Sequence, residues 1–295
     1  MSCRTKCSAN EGDYQPFPES GRLAGNKNLS LSTLRKHVTG QATAYCYIIK
    51  SIKNRDGHFI QTGCGPNFQG DWVTLCTCKH RMRTFLDASD WKDKWVAGFT
   101  GRPACQGRNF LVYLMKVSQA FKSHYDLWFD KHIPLKTKRA KAAHLHKLGD
   151  IYKPRRRVKN QSDHDPQDYL PPHSNHVHAR GWERDVAYRS RSGRVAALLV
   201  GNPMYSFLWN RPMIEYVSKL HRGQKKCEIH SYTRTTQGRA NNTKVAMTKA
   251  LAPRTALGVK RMGDSLKRRL EDGLIFPTSF CHFERSEVEK SGLQK

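Results

Sequence analysis

The sequence predicts an α+β domain, mainly β, built on a mixed or antiparallel sheet and flanked by basic, polar arms. Three observations predict it. Short apolar runs rich in β-branched and aromatic residues recur between Ala42 and Gly201, each bounded by Gly, Pro, Asn or Ser. One stretch, Ser118 to Phe129, spaces its aromatic residues at helical intervals instead. Outside residues 40–217 the apolar runs thin out and charge takes over.

Taken in order, residues 1–39 are polar and rich in Gly, Ser and Asn, which predicts a mostly disordered arm. Ala42 to Ile52 (ATAYCYIIKSI) reads as the first strand, and Asn54 to Gly57 as a turn. Val73 to Cys78 (VTLCTC) and Trp95 to Thr100 (WVAGFT) are the next strands. Phe110 to Val117 (FLVYLMKV) is continuous, apolar and of strand length. Ser118 to Phe129 predicts a short amphipathic helix with Ser118 as its cap, its stripe of Phe121, Tyr125 and Trp128 facing a core. Lys131 to Asn160 carries eleven Lys or Arg and one acid, Asp150. Asp163 to Gly181, with Pro166, Pro171 and Pro172, predicts a long loop. Val195 to Gly201 returns to an apolar strand, and Met204 to Trp209 and Met213 to Val217 complete the core material. Residues 218–295 read as a basic tail of low order. Its stretch 280–291 (FCHFERSEVEKS) resembles a translated intergenic repeat, so Cys281 and His282 are set aside as ligands.

Fifty-two Lys and Arg stand against 24 Asp and Glu, a formal net charge of +28. Such an excess favours a polyanionic partner, DNA or nucleotides above all, over a neutral one. The longest apolar runs are too short to span a bilayer, so no membrane partner is expected. Nine scattered cysteines with no export signal before them predict reduced thiols and a cytoplasmic chain.

Few motifs carry chemistry. No phosphate-cradling glycine loop, G-x-S-x-G elbow or H-E-x-x-H occurs, so no cofactor is expected. Cys76 and Cys78 form a C-x-C pair that strand alternation would place on one face. Cys64, His80 and Cys105 could complete a metal set by type, but two small buried residues are the simpler reading, and no metal is expected. The group His164, His173, His176 and His178 could bind a metal, but a single histidine serving as a base or touching phosphate is the stronger reading. Lys79, Arg81 and Arg83 would share one strand face, either solvated or holding a phosphate. Asp185 is either a surface carboxylate or the group that orients a base.

The order of these pieces resembles the family known as the nucleotide modification associated domain, second type. Ala44 to Lys50 is similar to its opening strand. Pro66-Asn67-Phe68 and Thr74 to Lys79 resemble its "NPF … CTLATCKP" block, with Arg83 at a following arginine. Trp95 to Gly98 is similar to "GDWVxG", Leu111 to Val117 to the next strand and Gly149 to Tyr152 to "GDxIY". His176, Asp185 and Arg194 to Leu199 fit the last stretch. This chain departs from the pattern at Asp93-Lys94, in place of Gly-Asp, and at His80, in place of proline.

The resemblance implies a role in systems that modify bases in bacterial or phage DNA, alongside other proteins of such systems. A weaker likeness to PUA and EVE base-binding barrels would make the sheet a small barrel. Two main function classes follow. As a reader of DNA bases or modified bases, the chain would hold phosphate with Lys79, Arg83 and Lys116 and stack a base on Tyr113 or Trp95. As an enzyme on a nucleotide or base, it would use His176 as general base, oriented by Asp185, with Asp150 and Tyr152 shaping the site. A third reading is a fragment whose tail binds polyanions without specificity.

Overall fold

The computed structural model describes residues 14–38, 43–106, 109–155, 163–216 and 243–246. The strands are β1 (Thr43–Ile49), β2 (Ile52–Arg55), β3 (His58–Gln61), β4 (Thr74–Leu75), β5 (Trp95–Thr100), β6 (Asn109–Phe121), β7 (Leu198–Leu208), β8 (Glu215–Tyr216) and β9 (Thr243–Ala246). The helices are α1 (Gly21–Gly25), α2 (Leu31–His37), α3 (His80–Arg83), α4 (His124–Phe129), α5 (Leu135–Ala140) and α6 (Glu183–Ala187). The class is α+β, mainly β, with parallel and antiparallel pairings, as the apolar runs predicted. The chain divides into two compact units: Met1–Arg22, Ile60–Trp91 and Gln119–Pro203 form one, and Leu23–Phe59, Lys92–Ser118 and Met204–Lys295 the other.

The second unit holds the regular sheet. β1 pairs in parallel with β5, which pairs antiparallel with β6 across a register shift at Gly98/Phe99. β9 lies antiparallel on β1, and β8 on β6. Leu31, Leu34, Cys46, Trp95, Phe99, Phe207 and Trp209 form its core. Two helices correct the expected disorder over residues 14–38. α1 begins at the end of the first unit and buries Leu23, and α2 buries Leu31 and Leu34 under an N-cap from Ser30. Leu31 and Leu34, one turn apart on α2, and Leu23 on α1 are buried despite the polar composition around them. Asp56 and Gly57 both take positive φ, which lets β2 turn tightly into β3 where a turn was expected.

The first unit is the less regular one. β4 pairs with β7 through Thr74↔Val200 and Leu75↔Leu199 only, so the expected strand to Cys78 stops at Leu75. The chain then takes a left-handed step at Lys79 (φ 59°, ψ 40°) and makes the single turn of α3. Lys79, Arg81 and Arg83 therefore do not alternate on a strand face. The helix expected from Ser118 also starts later. β6 runs on to Phe121, and α4 is capped by Ser123, whose Oγ accepts the Asp126 N–H at 3.1 Å. The expected strand from Val195 begins at Leu198 and absorbs the Met204 stretch into one long β7. Gly149 is required as glycine, because a Cβ there would lie 2.6 Å from the Ala142 carbonyl carbon and the Ala143 nitrogen. That close approach lets the Asp150 N–H bond to Lys141 O at 2.9 Å. The expectations for residues 1–13, 217–242 and 247–295, including the repeat-like stretch, lie outside the described residues.

Candidate functional site

The first unit gathers side chains from four separated segments around one carboxylate. Asp185, near the start of α6, is buried, its side chain only 4% exposed. Its Oδ2 lies 2.6 Å from His178 Nδ1 and accepts the Tyr152 hydroxyl at 3.0 Å. Its Oδ1 lies 2.8 Å from His80 Nε2, without the alignment of a hydrogen bond, so that contact is electrostatic. His80 in turn stacks on Tyr188, with ring centroids 4.6 Å apart.

Two thiols complete the cluster. Cys64, in the loop after β3, has its Sγ 3.1 Å from Thr77 Oγ1 and 3.6 Å from His178 Nε2. Cys78, just before the left-handed step, is half-buried, and the Thr77 hydroxyl points to its Sγ at 3.9 Å. Ligand atoms of Cys64, Cys78 and His178 all lie within 4.8 Å of one another. Cys76 is not part of this group. With the strand ending at Leu75, the C-x-C pair splits, and Cys76 joins the apolar cluster of Leu127, Trp128 and Val200. Cys105, the other thiol considered by type, belongs to the second unit.

The electrostatics follow from these contacts. Burial opposes charge on Asp185, but His178 and His80 outweigh it and hold the carboxyl well below the usual range. Burial likewise opposes charge on His178, yet Asp185 and Cys78 push its pKa up to about 10. The hydrogen bond with Cys64, more than burial opposes, lowers Cys78, and the same bond raises Cys64. Burial lowers His80 against the pull of Asp185. Burial and then Asp185 raise Tyr152, which stays a hydrogen-bond donor.

Of the expected catalytic residues, Asp185 and Tyr152 meet directly. His176 lies nearby but both its nitrogens are committed to backbone: Nδ1 accepts the His178 N–H at 3.0 Å, and Nε2 contacts Gly149 O at 2.8 Å. It positions His178, which takes the place expected for it beside Asp185. Asp150 is fully buried, accepting from Thr74 Oγ1 at 3.1 Å and from the Cys76 N–H at 3.3 Å. Burial raises its pKa to about 6 despite Lys141, and its bonds to Thr74 and Cys76 fasten the end of β4.

The expected nucleic-acid contacts are placed differently. Arg83 has no exposed surface. Its Nε bonds Cys78 O, Nη2 bonds Thr77 O and Nη1 bonds Ala197 O, each at 2.8 Å, so its donors are used on carbonyls rather than phosphate. Lys79 is half-buried in the first unit, at the left-handed step. In the second unit Lys116 pairs with Asp93 at 3.0 Å. Tyr113 is fully buried and donates to the Tyr47 hydroxyl at 2.9 Å. Trp95, 3% exposed, packs on Phe207. Neither ring presents a face on which a base could stack.

Sequence reasoning missed three members of the cluster as a set: Cys64, His80 and His178. Their residue types were the only signal, since 114 positions separate Cys64 from His178. Fold and site together define an α+β protein with a buried carboxylate that organises imidazole, phenol and thiol groups. Residues 43–233 match the family described as nucleotide modification associated domain 2, and the chain belongs to that family. The ordered blocks pointed to this family, and the match runs on past the boundary expected at Val217. No curated protein and no solved structure matches the chain, so the PUA and EVE likeness gains no support. No helix among the described residues is long and apolar enough to cross a membrane.

Proposed function

We propose that the chain is an enzyme of a nucleotide modification system and that it acts on a nucleobase, in DNA or as a free nucleotide, at the Asp185 cluster. One observation carries this reading: a buried carboxylate contacts two imidazoles and a phenol beside two thiols, within a family associated with nucleotide modification. Here Asp185 holds His178 by Nδ1 and leaves Nε2 directed to the thiols, the arrangement by which a carboxylate orients an imidazole that works as a base or as a ligand. The His178 side chain is 31% exposed, so a substrate can reach it.

The test is mass spectrometry of nucleosides from DNA and from free nucleotide pools in cells that express the full chain or its Asp185→Asn variant. The wild type is expected to produce or remove one modified nucleoside. Asp185→Asn is expected to reduce that change by roughly 10². Identical nucleosides from both strains, in both pools, would sink the reading.

The second reading, recognition of a DNA base or modified base, is favoured by the net charge of +28. The residues expected to read a base, Tyr113 and Trp95, are buried. A preference of the full chain for one modified duplex, persisting at high salt with no chemical change to the DNA, would favour this reading over the enzyme.

A further inference from the structure

We infer that Cys64, Cys78 and His178 form a three-ligand site for a thiophilic divalent cation, zinc above all, with the fourth coordination position open. The inference deepens the reading above, since it rests on the same cluster.

Two sulfurs and one imidazole are the donor set that soft and borderline metals select, and three protein ligands with a free position is the pattern of catalytic zinc. Their ligand atoms lie within 4.8 Å of one another. His178 Nε2 is 3.6 Å from Cys64 Sγ. A tetrahedral ion with Zn–S of about 2.3 Å and Zn–N of about 2.0–2.1 Å sets that edge at about 3.6 Å. Because the same sulfur is 3.7 Å from Nδ1, the ring must turn so that Nε2 alone faces the thiols.

The surroundings fit a metal better than a plain thiol pair. Nδ1 of His178 is bonded to Asp185, the outer carboxylate that fixes the tautomer of a metal-bound histidine. Both Asp185 oxygens are already occupied, which makes it a positioning residue rather than a fourth ligand. Thr77 Oγ1, 3.1 Å from Cys64 Sγ, can donate to a thiolate. Arg83 fixes the Cys78 carbonyl, and His176 fixes the His178 N–H. Gly65 allows the close approach, since a Cβ there would lie 3.2 Å from Cys78 Sγ. The open position would take water or a substrate oxygen, which such an ion polarises.

The experiment measures metal in the full chain, purified in reductant without chelator. About one zinc per chain is expected. Cys64→Ser, Cys78→Ser and His178→Ala are each expected to lose most of it, whereas Cys105→Ser keeps it. Because a ligand variant can misfold, two further measurements stand beside these. Cobalt exchanged into the wild-type chain should show thiolate-to-metal charge transfer that Cys78→Ser abolishes. Asp185→Asn, which keeps all three ligands, should weaken zinc binding by about 10–100-fold. No metal after reconstitution with zinc, or full occupancy retained in all three ligand variants, would overturn the site. A chain that holds zinc at these residues but changes no nucleoside would overturn the enzyme reading and leave the site standing.

Discussion

His124 shows how a single residue can set pH sensitivity. It is fully buried in α4, accepts the Tyr152 N–H through Nδ1 and leaves Nε2 without a hydrogen-bond partner. Burial, aided by Arg83, lowers its pKa to about 3. The folded state therefore binds its proton less readily than the unfolded chain. Its contribution to stability is full above pH 6.5 and falls as pH drops from there towards 3. At pH 5 the loss amounts to about 2 kcal/mol. Urea unfolding of the full chain at pH 7 and pH 5, compared with that of His124→Gln, should show a pH-dependent difference smaller in the variant by about that amount. An unchanged slope in the variant would assign the acid sensitivity elsewhere. The same scale explains why the sequence does not separate His176 from His178. Both sit two apart in a proline-rich loop, and which one meets Asp185 depends on backbone turns that composition does not encode.

Among the elements, β4 and α3 decide the site. The run VTLCTC has strand character throughout, and alternation would have aligned Cys76 with Cys78. The observed break at Leu75 comes from a clamp that is long-range in sequence, the bonds from Arg83 to Ala196 and Ala197. These satisfy carbonyls that a longer ladder would have paired. Arg83 also anchors Thr77 and Cys78, so it ties α3, the lead-in to β7 and the thiol segment together. Lysine cannot reproduce that planar fork. Arg83→Lys is expected to cost roughly 2–4 kcal/mol in a denaturation midpoint measured on the full chain. A loss below about 0.5 kcal/mol, the range of an ordinary surface change, would show that the clamp is dispensable. By contrast β1, β5 and β6 were legible because their apolar runs are long and continuous, and local composition alone favours extension there.

For the whole molecule, charge sets the behaviour. A net charge of +28 should make binding to DNA tight at low salt and steeply weaker as salt rises. Filter binding of the full chain across a salt series is expected to show a log–log slope steeper than about −4, with Asp185→Asn superimposed on the wild type. Separation of the two curves would mean that the cluster contributes to affinity as well as to chemistry. The division into two units also belongs to this scale. Each is assembled from three separated stretches of chain, and β6 and β7 each start in one and end in the other. Reading the chain as one domain from residue 40 to 217 could not reveal that division, because it depends on contacts distant in sequence.

By itself, the sequence determined the α+β class, the positions of the long strands, the basic character and the family, all of which rest on local composition or on the order of short blocks. Tertiary structure alone decided that Arg83, Tyr113 and Trp95 are buried, that Asp150 fastens β4, and that Cys64, Cys78, His80, Tyr152 and His178 converge with Asp185. The physical reason is range. Strand propensity acts over a few neighbouring residues, whereas a site built from positions 64, 78, 152 and 185 exists only once closure of the intervening loops has been offset by burial of the core around it.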